Sequence, residues 1–241
     1  MIDRTIGFSP KLYSRIGGAL YLMLIALGIF GQVVKGKVIV SGDAAATSAN
    51  LRSMETLWRF GLALELISLI CVVALAMIYF VLLRPVNKEI NLLATFLRMI
   101  GIAVEAVAAL NLAAALFPLG SATYLKAFTP EQLYAMTSLA IKSHDYGYTL
   151  ALLFFGFTFL FHGHLIARSG FLPRVLGLMI QVGGVCYLSN SLVFFLAPGL
   201  SGALFPWILL PCFVAELSLA LWLLAKGVNV PRWNERASLG E

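Results

Sequence analysis

The chain has 241 residues, of which 61% are hydrophobic and 12% charged, where an ordinary soluble domain is about 45–50% apolar and 25% charged. With a mean hydropathy of +0.93 it has too few polar groups to cover a soluble surface, and a disordered chain, a disulfide scaffold and a nucleic-acid-binding tail are excluded with it. The net charge of +6 comes from Lys and Arg placed between apolar blocks, where membrane topology accounts for them.

The first apolar block covers residues 16–34. Arg4, Lys11 and Arg15 precede it as in a signal peptide, but it runs into Lys35 and Lys37, and Ala44, Ala45 and Ala46 lie too far downstream for cleavage. It reads as an uncleaved membrane span. In the loop that follows, Asp43 is an N-cap ahead of three alanines and predicts a short helix over 44–52. The second and third spans cover 57–83 and 92–116, and Gly101, Ala106, Ala109 and Ala113 make the third a close-packing helix. Thr129, Pro130 and Gln132 then combine a cap, a first-turn proline and a side chain that reaches back, so a helix over 130–142 is expected. It either continues into the fourth span or breaks near Gly147. The last three spans cover 146–166, 172–196 and 203–224, with a short uncharged loop near 197–202. Pro206 and Pro211 are expected to bend the sixth span just before Glu216. Each block meets the roughly 20 residues that a bilayer requires.

The fold class expected is therefore all-α: a polytopic membrane helix bundle, one transmembrane domain over residues 1–241, with six transmembrane helices and two short extracytoplasmic helices. Arg4, Lys11, Arg15, Arg84, Lys88, Arg168, Arg174, Lys226, Arg232 and Arg236 fall on one side, and Lys35, Lys37, Arg52, Lys126 and Lys142 on the other. Ten against five places both termini in the cytoplasm. Cys71, Cys186 and Cys212 stand inside apolar segments with no neighbouring His and read as packing residues. Gly17-Gly18 with Tyr21 in the first span resembles Gly183-Gly184 with Tyr187 in the fifth, either as a repeat or as the common membrane-helix pattern of small residues ahead of an aromatic. Hydrolase, zincin, phosphate-loop, haem-attachment and dinucleotide motifs are absent.

Ionisable groups at membrane depth cost about 2.5–3.5 kcal/mol each and normally find partners in the bundle interior. Glu65 lies in the outer third of the second span, Glu105 near the middle of the third and Glu216 near the middle of the sixth. Each is either a carboxyl that locks helices together by hydrogen bonds or a proton-carrying or cation-binding group. His144 and His162 are eighteen residues apart on one helical face, about 27 Å along the axis. His162 and His164 read as interfacial residues, and their spacing makes a poor two-ligand metal site. His144 and Asp145 at the outer mouth read as a helix-end polar pair or as a site for a ligand, a metal or a proton. Asn111, Tyr148, Asn190, Ser191 and Arg59 stand in the same outer half; Arg59 by default snorkels. Arg98 reads as an anchor at the cytoplasmic end.

Several runs carry a family resemblance: Arg15-Ile-Gly-Gly-Ala-Leu-Tyr-Leu22, Val40-Ser-Gly-Asp-Ala-Ala-Ala-Thr47 and Leu83-Arg-Pro-Val86. They continue in His144-Asp-Tyr-Gly147, Phe154-Phe-Gly156, Gly163-His-Leu-Ile-Ala-Arg-Ser-Gly170 and Gly184-Val-Cys-Tyr-Leu-Ser-Asn190. From about residue 15 to 224 the chain resembles a family of bacterial polytopic membrane proteins known only as a domain of unknown function (number 4386). The resemblance implies the bacterial cytoplasmic membrane and supplies no activity or cofactor.

Three function classes follow as expectations. The first is binding or transport of a small molecule, lipid head group or cation through an outward-facing polar pocket of Glu65, Asn111, His144, Asp145, Tyr148 and Asn190, with Glu105 and Glu216 supplying charge at mid-membrane. The second is a scaffold or accessory subunit, alone or with a protein partner or a second copy. The third is an intramembrane acid–base or metal-dependent enzyme using His144, Asp145 and Glu65. The lipid bilayer is the one partner common to all three, and nucleic acid is a partner in none.

Overall fold

In hydrocarbon nothing satisfies an exposed backbone polar group, so each long apolar segment must close its own hydrogen bonds. The computed structural model describes residues 9–239, and among them there is helix and no strand. In chain order the helices are α1 (Pro10–Val38), α2 (Ala44–Ser53), α3 (Glu55–Leu83), α4 (Lys88–Ala114), α5 (Pro130–Arg168), α6 (Arg174–Leu196), α7 (Pro198–Leu204), α8 (Leu210–Ala225) and α9 (Val230–Leu239). Short 3₁₀ turns at Phe117–Leu119, Thr123–Ala127 and Trp207–Leu209 complete the connections. Among the described residues six helices are long and apolar enough to cross a membrane: α1, α3, α4, α5, α6, and α8 with the turn before it. Arg4 lies outside the described residues.

The six spanning helices follow one another around a ring. Each packs on its successor, and α8 packs back against α1. Ile70, Val107, Leu110 and Val175 stay exposed on the ring, an extent of apolar surface that fits contact with lipid. One end of the ring, the terminal end, carries the start of α1, the α5–α6 turn, the end of α8 and α9. The other, the cap end, carries α2, α7 and the 3₁₀ turns. At the terminal end Trp233 of α9 donates its indole N–H to the Leu82 carbonyl at 3.0 Å.

Both predicted helix starts are present. Asp43 accepts from the Ala46 N–H at 2.8 Å and opens α2, which lays Thr47, Ser48 and Leu51 into buried positions against α5. At Thr129 the capping box is complete: the Gln132 N–H donates to the Thr129 hydroxyl at 3.3 Å, and the Thr129 N–H donates to Gln132 Oε1 at 2.9 Å. The helix it starts is continuous with the fourth span. Gly147 does not break it, because a Cβ there would stand 2.7 Å from the Ala108 side chain; the glycine serves α4–α5 packing. At 39 residues, α5 is about 58 Å long, nearly twice the roughly 30 Å hydrocarbon core. Thr129→Ala is expected to lower stability by about 1 kcal/mol, read as a lower unfolding midpoint in detergent. An unchanged midpoint would mean that α2 packing, and not the cap, holds this end.

Two expectations are corrected. The expected bend of one continuous sixth helix is replaced by an interruption: the 203–224 segment breaks at Phe205 and Pro206, between α7 and the turn that leads into α8. Pro211 lies in the first turn of α8 and Pro206 precedes the helix, so both missing N–H groups fall where no helical bond is needed. The segment near 197–202, read as a loop, contains the helix α7.

Candidate functional site

The repeat of paired glycines and a tyrosine explains how polar groups come together inside the ring. Gly17 faces Ile78 of α3, while a Cβ on Gly18 would strike the α8 backbone at Leu224 and Ala220. Gly183 lies against Cys212 of α8, and a Cβ on Gly184 would fall 2.8 Å from the Gly156 carbonyl of α5. Each pair lets its helix sit tightly between two neighbours. The tyrosine three and four residues later then points along the same face. Tyr187 donates its hydroxyl to Glu216 Oε1, and Tyr21 interacts with the same carboxyl. The two copies of the repeat thus flank α8 and converge on its acid.

Around Glu216 each of the other five spanning helices contributes one polar side chain. Tyr21 meets Tyr79 of α3 edge-to-face, with ring centroids 6.4 Å apart. Tyr79 packs on His162 of α5 at 5.1 Å. Arg98 of α4 lays its guanidinium over the Phe155 ring at 5.0 Å, and its charge acts on Glu216, Tyr21, Tyr79 and His162. Tyr187 of α6 completes the set. Among the described residues neither the Tyr79 hydroxyl nor His162 Nε2, both buried, has a hydrogen-bond partner. Buried polar atoms are normally satisfied, and an exception calls for a bound group or water.

Two sequence expectations change here. Arg98 is not an interfacial anchor: it is only 8% exposed and belongs to the interior. His162 is likewise buried, at 5% exposure, whereas His164 is half-buried on another face of α5.

A second polar cluster lies toward the cap end. His144 is buried, at 1% exposure, and its ring stacks on Tyr148 at 6.0 Å. Lys35 Nζ stands 3.4 Å from His144 Nε2 and 5.8 Å from the centre of the Tyr148 ring. With Lys35 as donor, Nε2 is the acceptor and the ring proton belongs on Nδ1. There it is donated to Asp145 Oδ1 at 3.2 Å. Asp145 itself is exposed. The carboxylates of Glu65, Asp145 and Glu105 all act electrostatically on Lys35. Arg98 also acts electrostatically on Glu105, so this acid couples the two clusters. Lys35 and Glu65 line a cavity of about 20 Å³ together with Gly31, Trp58 and Gly61, room for about one water molecule.

Of the sequence-derived set, the structure gathers Glu65, Glu105, His144, Asp145 and Tyr148 and places Glu216 in the other cluster. Asn111 is half-buried, and its amide reaches only carbonyls of its own helix, at 3.4 Å. Asn190 is half-buried on α6, and among the described residues no hydrogen bond ties it to the Lys35 group. Ser191 is buried and donates to the Thr149 carbonyl at 3.0 Å. Arg59 pairs with Glu55 at 2.7 Å on the exposed surface. Sequence reasoning missed Lys35 as a partner, and Tyr21, Tyr79 and Tyr187. For two of the tyrosines the signal was the glycine-pair repeat. Among the described residues no group of three or more His, Cys, Asp or Glu is placed to hold a metal ion.

Six helices long and apolar enough to cross a membrane, closed into a ring, define a multi-pass membrane protein. Residues 16–227 match the family model described as Domain of unknown function (DUF4386), and the chain belongs to that family. No curated protein and no solved structure matches the chain.

Proposed function

We propose that this protein binds and carries a small polar molecule or cation through the interior of the ring, in the bacterial cytoplasmic membrane with its termini in the cytoplasm. One observation carries the reading: six spanning helices each commit a polar side chain to one interior cluster in which the Tyr79 hydroxyl and His162 Nε2 are left unpartnered among the described residues. Purely structural polar networks close on themselves, because a half-satisfied one is worse than an apolar core. An interior that commits Arg98 and Glu216 and still leaves a hydroxyl and a ring nitrogen open fits a guest. The Lys35–His144–Asp145 group supports a route from the cap end, since Asp145 is exposed while His144 is buried. Glu105, which both Lys35 and Arg98 influence electrostatically, supplies an acid coupled to both clusters.

The test is ligand-dependent stabilisation of the purified protein, using a panel of potassium, magnesium, amino acids, short diamines and glycerol phosphate. A ligand at a hundred times its Kd adds about 2.7 kcal/mol, so a binder raises the unfolding midpoint. Combining Glu105→Gln with Glu216→Gln is expected to abolish that rise. A flat response across the panel, or an equal rise in the double variant, would overturn the reading.

A further inference from the structure

At the terminal end α5 and α6 meet as two glycine surfaces. A Cβ on Gly163 would stand 2.6 Å from the Gly177 carbonyl, and one on Gly177 would stand 2.5 Å from the Gly163 carbonyl. With the backbones touching along this seam, the side chains beside it diverge and leave a cleft. It encloses about 400 Å³ and is lined by His164, Ala167 and Arg168 of α5 and by Arg174, Leu178 and Gln181 of α6. That volume is within the roughly 300–1,000 Å³ of small-molecule sites. The spacings place each triplet on one face of its helix.

The charge in this cleft is of one sign. Arg168 and Arg174 are exposed, and among the described residues neither forms an ion pair. No Asp or Glu occurs between Asp145 and Glu216, so neither α6 nor the membrane-crossing part of α5 offers a carboxylate. Arg232 of α9 donates to the Gly170 carbonyl at 3.1 Å, which brings a third guanidinium to the same turn. The start of α6 has no side-chain cap, and its free N–H groups favour an anion. Below the arginines Gln181 lines the same cleft, about 10 Å deeper along α6. Val175, Leu178, Val182 and Val185 are all exposed and form an apolar track down the helix from the cleft.

We infer that this cleft is a binding site for the phosphate headgroup of an anionic phospholipid. The two guanidiniums take the phosphate, since Arg matches it in a bidentate fork. Gln181 lies at the level of the glycerol esters, and the acyl chains follow the apolar track. A free phosphate ion would use the arginines but not the track, so the lipid is the occupant that accounts for both halves. Basic clefts between membrane helices are a recurring form of headgroup recognition. The site lies on another face of α5 from His162 and shares no residue with the interior cluster, so it does not depend on what the interior binds.

The experiment is native mass spectrometry and thermal unfolding of the full chain, delipidated in neutral detergent. It is titrated in parallel with phosphatidylglycerol, phosphatidylcholine and inorganic phosphate. Phosphatidylglycerol is expected to bind at least tenfold more tightly than phosphatidylcholine and to raise the midpoint, whereas inorganic phosphate does neither at the same concentration. Arg168→Gln combined with Arg174→Gln replaces two exposed side chains, so the lipid-free midpoint should hold while the preference is lost. Arg52→Gln, at the cap end, should keep it. Equal binding of the two lipids, an undiminished preference in the double variant, or equal stabilisation by inorganic phosphate would each overturn the assignment.

Discussion

Replacing Arg98 with Leu is expected to lower the unfolding free energy by about 1–3 kcal/mol, the usual range for losing a well-packed side chain together with its electrostatic influence. Arg98 is buried and lies flat on the Phe155 ring. Its charge acts on Glu105 and Glu216 across the interior. Removing it deprives both half-buried acids of the nearby positive charge, and it takes the cation–π contact with it. Adding Glu216→Gln to Arg98→Leu should recover part of the loss. The Gln amide oxygen still accepts from Tyr187, and no uncompensated charge remains at that position. Unfolding in mixed micelles of the wild type, both single variants and the double variant reads this as a coupling, expected to be at least about 1 kcal/mol. Arg98→Lys should fall between, since it retains the charge but not the planar face over Phe155. Strictly additive losses would mean that Arg98 and Glu216 do not share an environment and that the interior cluster is two separate contacts.

The sequence made the six spans, the Asp43 cap and the Thr129 cap legible because each is written in consecutive residues: an apolar run of sufficient length, or a cap with its partner three positions on. Closure of the ring by α8 on α1 joins residues some 200 positions apart, and no local pattern records it. The interior clusters were legible only in part, for the same reason. Glu105 and Glu216 stood out because a carboxyl at membrane depth is costly wherever it points. Lys35 follows the apolar run and so looks like a loop charge in sequence, yet α1 continues to Val38 and carries it to His144. Arg98 looks like an anchor in sequence because it lies near the start of an apolar block. With α4 starting at Lys88, it is in fact about 15 Å along the helix, half the hydrocarbon thickness. The tyrosines carried no signal from polarity, since an isolated tyrosine in a membrane helix is ordinary. Only the recurrence of a glycine pair ahead of Tyr21 and Tyr187 marked them, and its meaning required knowing that α1 and α6 flank the same helix. Pro206 and Pro211 misled because a proline inside an apolar run signals either a kink or a helix start, and the choice depends on where the preceding turn ends.

Gly18→Val is the substitution expected to open the ring. A Cβ at Gly18 has no room: it would meet the Ala220 carbonyl at 2.7 Å and the Leu224 Cα at 2.9 Å, both backbone atoms of α8. Backbone cannot rotate away as a side chain can, so α1 and α8 must separate along their whole contact. Overpacking of this kind typically costs about 1–3 kcal/mol, and here it acts on the interface that closes the ring. Gly28 of the same helix has nothing within 4 Å of its Cβ position, so Gly28→Val adds a side chain of the same size to open surface. It should change stability by no more than about 0.5 kcal/mol. Measured side by side as unfolding midpoints, the pair separates a steric effect at α8 from a general effect of β-branching in α1. The consequence extends to the interior, because Tyr21 is three residues from Gly18 on the same face and reaches Glu216 only when α1 and α8 touch. Gly18→Val should therefore also weaken any ligand-dependent stabilisation that Glu216→Gln weakens, although it removes no polar group. Equal midpoints for the two glycine variants would show that α1 and α8 do not pack backbone to backbone. A lowered midpoint with full ligand response would show that Tyr21 is no part of the binding interior.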